Sequence, residues 1–402
     1  MNILYIEHYA GSPEMGMEFR PYYLAKEWIK QGHSVRIIAG DYSHLRLKNP
    51  EVGEDFFEED IDGVKYNWVK TGTYEGNGVA RALTMFRFVF KIWKRAKWIS
   101  NKWKPDVVIT SSTYPLDTFA GQRIKKYSGA KLIHEVHDMW PITLIELGGM
   151  KKTNPFVVLM QIGENSFCKH SDYVVSLLCA ANDYFVEHGM APEKFRAIMN
   201  GVVLDEWNNP TDLPEEHKEL LDRLHNDEKF IVCFFGSVTR SYAVDYLINA
   251  KNKLSDDRIA LVIVGEGNQR EELKQLAGED IYFLPRIPKT SIPKLLESVD
   301  CNYVGALNND MFRFGICMNK LFDSMMSGKP IIYAVEAPNN FIKDYKCGIS
   351  VKAEDIDALA DGLEQMVNLS VAEREQMGKN GRNAVLNNYS YEKIAEQFSE
   401  LF

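Results

Sequence analysis

The amino-acid sequence predicts an α/β protein made of two successive, doubly wound parallel-sheet domains. Short apolar runs with the composition of buried strands alternate with amphipathic helical stretches along most of the chain. The spacing of these runs fits right-handed βαβ units, in which a helix crosses over between parallel strands. The series starts again at about residue 229, after a polar and turn-rich segment, so two sheets are expected.

The bulk composition is that of an ordinary globular protein. The chain has 402 residues, of which 45% are hydrophobic and 26% charged, and its net charge of −9 argues against a nucleic-acid-binding protein. Six scattered cysteines without a CxxC pair favour reduced thiols in the cytoplasm. No signal peptide is predicted, because Glu7 and His8 interrupt the first apolar run. No run reaches the roughly 20 apolar residues of a membrane span.

In the first half of the chain, five apolar runs are predicted to be strands, and Met15–Gln31 is predicted to be a helix. The helix has an apolar face that includes Phe19, Tyr23 and Trp28. The predicted strands are NILYIE, GHSVRIIAG, DVVIT, AKLIHEV and DYVVS.

In the second half, six further runs are predicted to be strands. The boundary between the domains is placed within Asn200–Glu228, where NNPTDLPEE is polar and rich in turn formers. Open parallel sheets bind ligands beyond the carboxyl ends of their strands, so the loops that follow the strands are the first place to look for a site. The predicted strands are KFIVCFFG, RIALVIVG, IYFLP, DCNYVG, KPIIYAV and CGISV.

Two of these loops are candidate phosphate-binding loops. Gly236 lets a ligand approach the backbone, and the free amides at the start of the following helix suit a phosphate. Ser237 and Arg240 add hydrogen-bond donors. The second loop carries Gly265 and Glu266 but lacks the third glycine of GxGxxG, so it matches a dinucleotide fingerprint only weakly. The alternative interpretation is an ordinary βα turn for the first loop and, for the second, a solvated helix start at Arg270, Glu271 and Glu272.

A third candidate is the segment MFRFGICMNKLFDSMMSGKPII, Met311–Ile332. Asn319 is predicted to be the N-cap of a short helix that Gly328 ends. Lys320 and Asp323 are three residues apart and share a face of this helix. The lysine offers a cation to a diphosphate, and the aspartate can accept two hydrogen bonds from the vicinal diol of a ribose. The alternative is a surface Lys–Asp pair, which contributes under about 1 kcal/mol.

The order of these motifs resembles that of a family 4 glycosyltransferase with the GT-B fold. The match covers nearly the whole chain, and the nearest branch is the bacterial polysaccharide and O-antigen type, similar to N-acetyl-L-fucosamine transferases. The motifs that carry the resemblance are HYAGSPEMGMEFRPYYLAKEWIKQGHSVRIIAG, EVHDMWP, IMNGVVLD, the strand before Gly236, VGEG, LPRIPKTSIPKLLESVDC and FGICMNKLFDSMMSGKPII.

The resemblance implies two Rossmann-like domains that face each other across a cleft. Residues 1–200, rejoined by the C-terminal helix 391–402, would bind the acceptor, and residues 201–390 would bind the nucleotide sugar. The implied reaction is sugar transfer with retention of configuration, from a UDP-sugar to a saccharide or lipid-linked acceptor. It would serve cell-surface polysaccharide biosynthesis, such as O-antigen or capsule, and need no cofactor and no obligatory metal.

The resemblance also assigns roles to individual residues. Asp323 stands for the second glutamate of the family's E-x7-E pair and would bind the ribose, whereas the first glutamate has no counterpart at that spacing. Lys320 and Arg240 resemble a cationic clamp on the diphosphate, Arg286 would face the base, and Gly16 would approach the phosphate from the other domain. The donor-binding residues implied are Gly16, Gly236, Ser237, Arg240, Gly265, Glu266, Arg286, Phe314, Gly315, Asn319, Lys320 and Asp323.

His137 follows a predicted strand in EVHD, at the end of the strand where ligands bind. A lone histidine at such a place is often structural, but the resemblance puts His137 near the donor sugar and the reaction centre. His137 and Asp323 are therefore the catalytic candidates. Asp138 and Glu14 are candidates on the acceptor side.

The segment 79–105 is basic and aromatic. It holds eight Lys or Arg residues and no acid, with Phe and Trp between them. A helix with basic and aromatic faces suits an anionic membrane surface, where each basic residue contributes about 1 kcal/mol. The alternative is a helix packed on the first sheet with its aromatic residues in the core. We expect packing together with peripheral contact at the inner face of the plasma membrane.

Three other functions remain open at the level of the sequence. A nucleotide-sugar 2-epimerase of the same architecture would need additional acid and base carboxylates and no acceptor. An NAD-dependent Rossmann enzyme would need the glycine fingerprint that is lacking here. A non-catalytic partner that binds a nucleotide sugar would bind without turnover.

Overall fold

The computed structural model describes residues 1–16 and 19–402, which form two compact units. The N-terminal unit comprises Met1–Met199 together with Tyr391–Phe402, and the C-terminal unit comprises Asn200–Ser390. Within the described residues, every helix is too short or too polar to cross a membrane.

The sheet of the N-terminal unit has eight strands in the described part of the chain, in the order β3-β4-β2-β1-β5-β6-β7-β8. All neighbours are parallel except the β3–β4 pair at one edge. The strands are β1 (Asn2–Ile6), β2 (Ser34–Gly40), β3 (Phe57–Ile61), β4 (Val64–Val69), β5 (Val107–Thr110), β6 (Lys131–Val136), β7 (Tyr173–Ser176) and β8 (Phe195–Ala197).

Helices connect these strands, and the C-terminal helix Tyr391–Ser399 packs on the same unit. The Trp28 indole donates a hydrogen bond to the carbonyl of Ala395 at 3.1 Å and fixes that contact. The helices are α1 (Arg20–Lys30), α2 (Val79–Trp103), α3 (Thr118–Ser128), α4 (Ile142–Glu146), α5 (Pro155–His170) and α6 (Asn182–Glu187).

The first helix begins later than the sequence predicts. Met15 lies in a short 3-10 turn, Pro13–Met15, and α1 starts at Arg20. Proline explains the difference, because Pro21 fits the first turn of a helix but would break the interior of one that started at Met15. Met17 and Glu18, which fall inside the predicted helix, lie outside the described residues.

The β3–β4 hairpin was not predicted, although the sequence carries a signal for it. Its loop is Asp62-Gly63, and both residues have positive φ, 52° and 85°. Two positive φ values in a two-residue loop are typical of the hairpin turn that Asp-Gly favours. The five strands predicted in this half correspond to β1, β2, β5, β6 and β7.

The C-terminal unit holds a parallel sheet of six strands in the described residues, in the order β11-β10-β9-β12-β13-β14. All six were predicted. The strands are β9 (Phe230–Phe235), β10 (Ile259–Val264), β11 (Ile281–Leu284), β12 (Cys301–Gly305), β13 (Ile331–Ala334) and β14 (Gly348–Ser350).

The order of these strands places the loops after β9, β10 and β12 side by side at one edge of the sheet. Buried side chains of β9 and β10, such as Val232, Phe234 and Leu261, form the core beneath that edge. The helices are α7 (Leu204–Asn208), α8 (Glu215–Asn226), α9 (Val244–Lys253), α10 (Arg270–Leu276), α11 (Ile292–Glu297), α12 (Asn319–Met326), α13 (Phe341–Tyr345), α14 (Ile356–Asn368) and α15 (Val371–Ala384). A π-helical turn, Val385–Tyr389, follows α15.

Candidate functional site

Two glycine loops meet at the carboxyl edge of the C-terminal sheet. Gly236 follows β9 with φ of 120°, and Gly265 follows β10 with φ of 151°. A Cβ atom on Gly265 would lie 1.8 Å from the carbonyl oxygen of Gly236, so only glycine allows the two backbones to pack this closely. The carbonyl of Glu266 accepts a hydrogen bond from the amide of Val238 at 2.8 Å and joins the loops further.

Lys320, at the second residue of α12, reaches the first of these loops. Its ammonium lies 3.3 Å from the ring centroid of Tyr242 and 4.3 Å from that of Phe234. A Cβ atom built on Gly236 would be 3.2 Å from Nζ. The buried Nζ has no hydrogen-bond partner among the described residues. Burial lowers the pKa of Lys320 to about 7. An ammonium held without a counter-ion beside an open backbone is suited to an anionic ligand.

Asp323 lies one turn further along α12 and has different neighbours. Trp207 donates a hydrogen bond to it, Lys289 attracts it and Glu206 repels it. Burial is the largest effect and raises the pKa of Asp323 to about 6. Because the unpartnered Nζ of Lys320 makes no ion pair with this carboxylate, the interpretation of the two residues as a surface pair is wrong.

The N-cap prediction for Asn319 is also wrong. Asn319 is the first helical residue of α12 and is exposed, whereas the N-cap is Met318, whose backbone is extended. A side chain must sit on an extended residue outside the helix to reach the first-turn amides, so Asn319 is one position too late. Among the described residues, no side chain caps the first turn of α12.

Phe314 and Gly315 close a short 3-10 helix that precedes α12. Phe314 is buried, and Gly315 has φ of 99°. The Asn339 side chain accepts from the amide of Ile316 at 2.9 Å and donates to its carbonyl at 2.8 Å. The segment that leads into α12 is therefore anchored at Ile316, directly after Gly315.

The remaining predicted donor residues of this unit are exposed. Ser237 and Arg240 follow β9, and Arg286 follows β11, so all three extend from the carboxyl edge of the sheet into solvent. Glu266 is exposed as well, and its carboxylate lies 3.8 Å from Arg270. The structure thus brings Gly236, Gly265 and Lys320 together.

In the N-terminal unit, His137 belongs to a buried polar cluster. Its Nε2 lies 2.8 Å from Ser111 Oγ and 3.0 Å from Glu135 Oε2. Ser111 donates to Glu135 at 2.6 Å, and the hydroxyl of Tyr5 donates to the same carboxylate oxygen. The side chain of His137 is 19% exposed, whereas Glu135 is fully buried.

Arg20 completes this cluster from α1. Its Nε donates to Glu135 Oε1 at 2.9 Å, and its other nitrogens donate to the carbonyls of Met199 at 2.7 Å and Ile198 at 3.0 Å. Burial by itself raises the pKa of Glu135, but Arg20, His137 and the hydrogen bonds to this carboxylate hold the pKa well below its ordinary range. Glu135 is therefore ionised in the folded protein.

Sequence reasoning missed Glu135 and Arg20, although one signal was present. Side chains alternate along a strand, so Glu135 and His137, two residues apart at the end of β6, point to the same face. The salt bridge to Arg20 joins residues 115 positions apart and has no local signal in the sequence.

Asp138 borders a groove of about 1000 Å³ in the N-terminal unit. Its two carboxylate oxygens accept from Trp140 Nε1 at 3.0 Å and from Thr143 Oγ1 at 2.8 Å. The groove runs along the start of α2, α4 and the start of α5, and Arg81 is the basic residue in its wall. Its apolar lining includes Val79, Met85, Phe86, Leu144, Leu147 and Phe156.

The first loop does not bring its two candidates into the His137 cluster. Glu14 is 72% exposed and pairs with Lys48 at 2.7 Å. Gly16 has φ of 91°, and a Cβ atom there would lie 2.7 Å from Leu47 Cγ. Among the described residues, no group of three His, Cys, Asp or Glu side chains is placed to hold a metal ion.

Comparison with known families identifies two matching domains. Residues 15–206 match the family described as Glycosyltransferase Family 4, and residues 214–384 match Glycosyl transferases group 1. The chain is 24% identical over 366 residues to the putative colanic acid biosynthesis glycosyl transferase WcaI of Escherichia coli. That alignment covers 84% of this chain and 86% of WcaI.

Solved structures share the architecture over the whole chain. Sucrose-phosphate synthase from Thermosynechococcus elongatus superposes with a TM-score of 0.70 at 17% identity, covering 100% of this chain and 98% of that one. HepE from Anabaena, in complex with UDP and glucose, superposes with a TM-score of 0.65 at 15% identity, with the same coverage. The predicted α/β architecture of two Rossmann-like, GT-B-type domains is confirmed.

Proposed function

Because the chain belongs to the glycosyltransferases, with a family 4 domain followed by a group 1 domain, we propose that it transfers a sugar from a UDP-sugar to a saccharide or lipid-linked acceptor. The product would belong to cell-surface polysaccharide biosynthesis. The name of WcaI supports that setting, and the UDP bound to HepE supports the nucleotide. Retention of configuration and a donor sugar of the N-acetyl-L-fucosamine type are the finer parts of the proposal.

The single observation that carries the proposal is the unpartnered ammonium of Lys320 beside Gly236. A buried cation without a counter-ion is unfavourable unless a ligand supplies one. The diphosphate of a nucleotide sugar supplies that charge, and the open backbone at Gly236 leaves room for its oxygens. Ser237 and Arg240 would add donors from the loop after β9.

The other proposed donor contacts come from the family resemblance. Asp323 would accept hydrogen bonds from the ribose hydroxyls, and Arg286 would face the base. Phe314, Gly315 and Asn319 would line the donor site, together with Gly265 and Glu266. Gly16 is proposed to approach the donor phosphate from the N-terminal unit.

In the reaction, the bond between the sugar and the diphosphate breaks while the acceptor hydroxyl oxygen forms the new glycosidic bond, and the proton of that hydroxyl passes to the leaving diphosphate. Negative charge then develops on the leaving diphosphate, and Lys320, Arg240 and backbone amides would stabilise it. This supply of protein donors makes an obligatory metal unnecessary. His137 would contact the donor sugar at the reaction centre.

The N-terminal unit is the proposed acceptor-binding domain. The groove beside Asp138 is mainly apolar and has Arg81 in its wall, which fits an acceptor that joins a phosphate to a hydrocarbon chain. On α2, the exposed residues Phe90, Lys94 and Lys97 would contact an anionic membrane surface.

Thermal unfolding of the full-length protein tests the donor site. UDP at about 100 times its dissociation constant should stabilise the protein by about 2.7 kcal/mol. Lys320→Ala and Asp323→Ala are expected to lose this shift. Lys251→Ala is the matched control, since Lys251 is a buried lysine of the same unit whose Nζ already bonds the carbonyl of Asp256.

A turnover assay separates the proposal from its rivals. Incubation with UDP-sugars and a lipid-linked acceptor should give a glycoside whose anomeric configuration, read by NMR, matches the donor, with or without a chelator. Conversion of a UDP-sugar without acceptor would instead identify an epimerase. Binding of UDP without any turnover would identify a non-catalytic partner, and stabilisation by NAD alone would contradict the donor site.

A further inference from the structure

We propose that Glu135, held by Arg20, is a positioning residue that fixes which ring nitrogen of His137 carries the proton. The inference rests on the proposed function, in which His137 contacts the donor sugar at the reaction centre. It concerns Glu135 and Arg20, to which the family resemblance assigned no role, and it follows from the hydrogen bonds around the imidazole.

The protons in the cluster can be assigned one by one. Ser111 has a single hydroxyl proton and donates it to Glu135 Oε2 at 2.6 Å. Ser111 Oγ therefore meets His137 Nε2, at 2.8 Å, with its lone pairs. Glu135 Oε2, 3.0 Å from the same nitrogen, is an acceptor too. Two acceptors around Nε2 require that this nitrogen carry the hydrogen.

The remaining nitrogen is then the one available to the substrate. In a neutral imidazole with hydrogen on Nε2, Nδ1 keeps a lone pair. No described residue bonds to Nδ1, and the side chain is partly exposed. His137 would consequently meet a sugar hydroxyl as a hydrogen-bond acceptor.

Arg20 keeps the carboxylate in the form that this assignment needs. It bonds Glu135 Oε1 and leaves Oε2 for Ser111, Tyr5 and His137. Its own position is fixed by the carbonyls of Ile198 and Met199. A buried charge pair of this kind is costly to form and costly to break from one side, so its orientation is well defined.

The other ionisable groups around the ring do not compete for the role. Asp138 is the adjoining residue, but both of its oxygens accept from Trp140 and Thr143. His134, on the same strand, bonds Thr110 Oγ1 at 2.7 Å. The hydroxyl of Tyr5 already donates to Glu135. Glu135 is thus the carboxylate that orients His137.

Glu135→Gln is the decisive variant. Arg20 donates to one oxygen position, so the glutamine would turn its oxygen to Arg20 and its NH₂ group to His137. A donor at that place favours hydrogen on Nδ1 in place of Nε2. Nitrogen NMR of the ring in the full-length protein, without substrate, should show the Nε2–H tautomer in the wild type and the Nδ1–H tautomer in the variant.

Kinetics then separates positioning from general damage. With UDP-sugar and acceptor, we expect Glu135→Gln to lower kcat by about 10²-fold, the scale of one hydrogen bond lost in the transition state, with little change in KM for the donor. Glu164→Gln is the matched control, because Glu164 is a buried carboxylate of the same unit whose oxygen lies 3.7 Å from His188 Nε2. It should leave both the His137 tautomer and kcat unchanged.

The outcomes are distinct even if Glu135→Gln does not fold. A wild-type spectrum with hydrogen on Nδ1 overturns the proposal without any variant. The milder Ser111→Ala keeps Glu135 and should keep the Nε2–H tautomer, so a switch in that variant overturns it too. Equal loss of kcat in Glu164→Gln would assign the effect to stability and reject positioning. Absence of UDP stabilisation in the wild type would reject the proposed function and leave the tautomer measurement unaffected.

Discussion

The ammonium of Lys320 lies 3.3 Å from the centroid of the Tyr242 ring. The face of an aromatic ring attracts a cation. However, the ring does not accept a hydrogen bond from the three N–H donors of an ammonium in the way that an oxygen atom would. Lys320 is therefore held in place by Tyr242 and Phe234, while no residue that the structure describes accepts a hydrogen bond from its ammonium. Both its position and its charge have consequences that can be measured.

Binding of UDP is expected to weaken as the pH rises above about 7. Burial lowers the pKa of Lys320 to about 7, so the free protein holds a neutral amine above that pH. A bound diphosphate restores the charge, and binding therefore takes up a proton. Titration calorimetry should show an affinity that falls by up to about tenfold per pH unit between about pH 7 and pH 9.

Lys320→Arg is the control for this pH dependence. A guanidinium stays charged throughout the range, so the variant should bind UDP with a flat profile even if its affinity is lower. In the absence of UDP, the pH has the opposite effect on stability: the free energy of unfolding of the wild type should increase as the pH rises above about 7. The folded pKa lies below the ordinary value of 10.5, so the buried charge destabilises the wild type most below about pH 7. A profile equally steep in Lys320→Arg would rule out Lys320 as its source.

Gly236→Ala is expected to weaken UDP binding through Lys320. The new Cβ would lie 3.2 Å from Nζ and would displace the ammonium, and the φ of 120° adds backbone strain. We expect a loss in affinity of about tenfold or more, together with about 1–3 kcal/mol of stability.

Gly328→Ala is the matched comparison for Gly236→Ala. Gly328 also has positive φ, 73°, but the nearest atom to a new Cβ is 3.8 Å away, on Arg382. It should lose a similar amount of stability in a denaturation experiment and keep its affinity for UDP. Equal loss of affinity in both variants would mean that strain alone, and not the contact with Lys320, explains the effect.

Asp323→Asn is expected to stabilise the free protein and to weaken the complex. Burial raises the pKa of Asp323 from 3.8 to about 6, so the folded state binds more protons between these values and loses stability as the pH rises through them. At about pH 7 the whole destabilisation is present, about 3 kcal/mol for this pKa shift, and asparagine should remove most of it while it still accepts from Trp207.

Urea denaturation at about pH 7 and about pH 4 tests this pH dependence of the free energy of unfolding. The gain in Asp323→Asn should be largest at the higher pH and nearly absent at the lower one, where the wild-type carboxyl is protonated. Affinity for UDP should fall in the same variant, because an amide oxygen is a weaker acceptor for the ribose hydroxyls than a carboxylate. If Asp323→Asn were less stable than the wild type at about pH 7, the buried charge of Asp323 could not be destabilising the free protein.

The strands were predictable because buried parallel strands are continuous apolar runs, as in β9 (FIVCFF) and β10 (IALVIV), which are buried at every position. The β3–β4 pair was missed because β3 (FEEDI) is an exposed edge strand rich in acidic residues and β4 (VKYNWV) is interrupted by Lys65 and Asn67, so the signal lies in the Asp62-Gly63 turn. The start of α1 was placed too early because the apolar pattern continues on the N-terminal side of Pro21. The proline outweighs that pattern, because it is tolerated in the first turn of a helix and not in its interior.

The sequence could predict those parts of the candidate site that depend on residue types within a single loop or helix. Lys320 and Gly236 stood out as residue types in two loops, but their contact joins positions 84 residues apart and depends on the order of the strands. The cluster of Arg20 and Glu135 is a tertiary contact across 115 positions. Such pairs leave no periodic signal in one sequence, so composition and spacing cannot predict them.

The last prediction concerns the basic helix α2. The sequence left open whether its aromatic residues lie in the core or on the surface, and the structure divides them. Phe88 is buried, whereas Phe90 is 60% exposed and Trp93 is 40% exposed. Lys94 and Lys97 are exposed on the same helix. This surface combines apolar groups with positive charge, which favours binding to an anionic lipid bilayer.

Sedimentation with vesicles that contain phosphatidylglycerol tests this binding. Each lysine contributes about 1 kcal/mol at such a surface, so the double variant Lys94→Gln and Lys97→Gln should lower the partition coefficient by about tenfold or more. The control removes two exposed lysines of the C-terminal unit, Lys218 and Lys343, in the same way. Equal partitioning of both double variants would show that net charge and not α2 determines binding. Partitioning of the wild type that is insensitive to salt would contradict an electrostatic contribution.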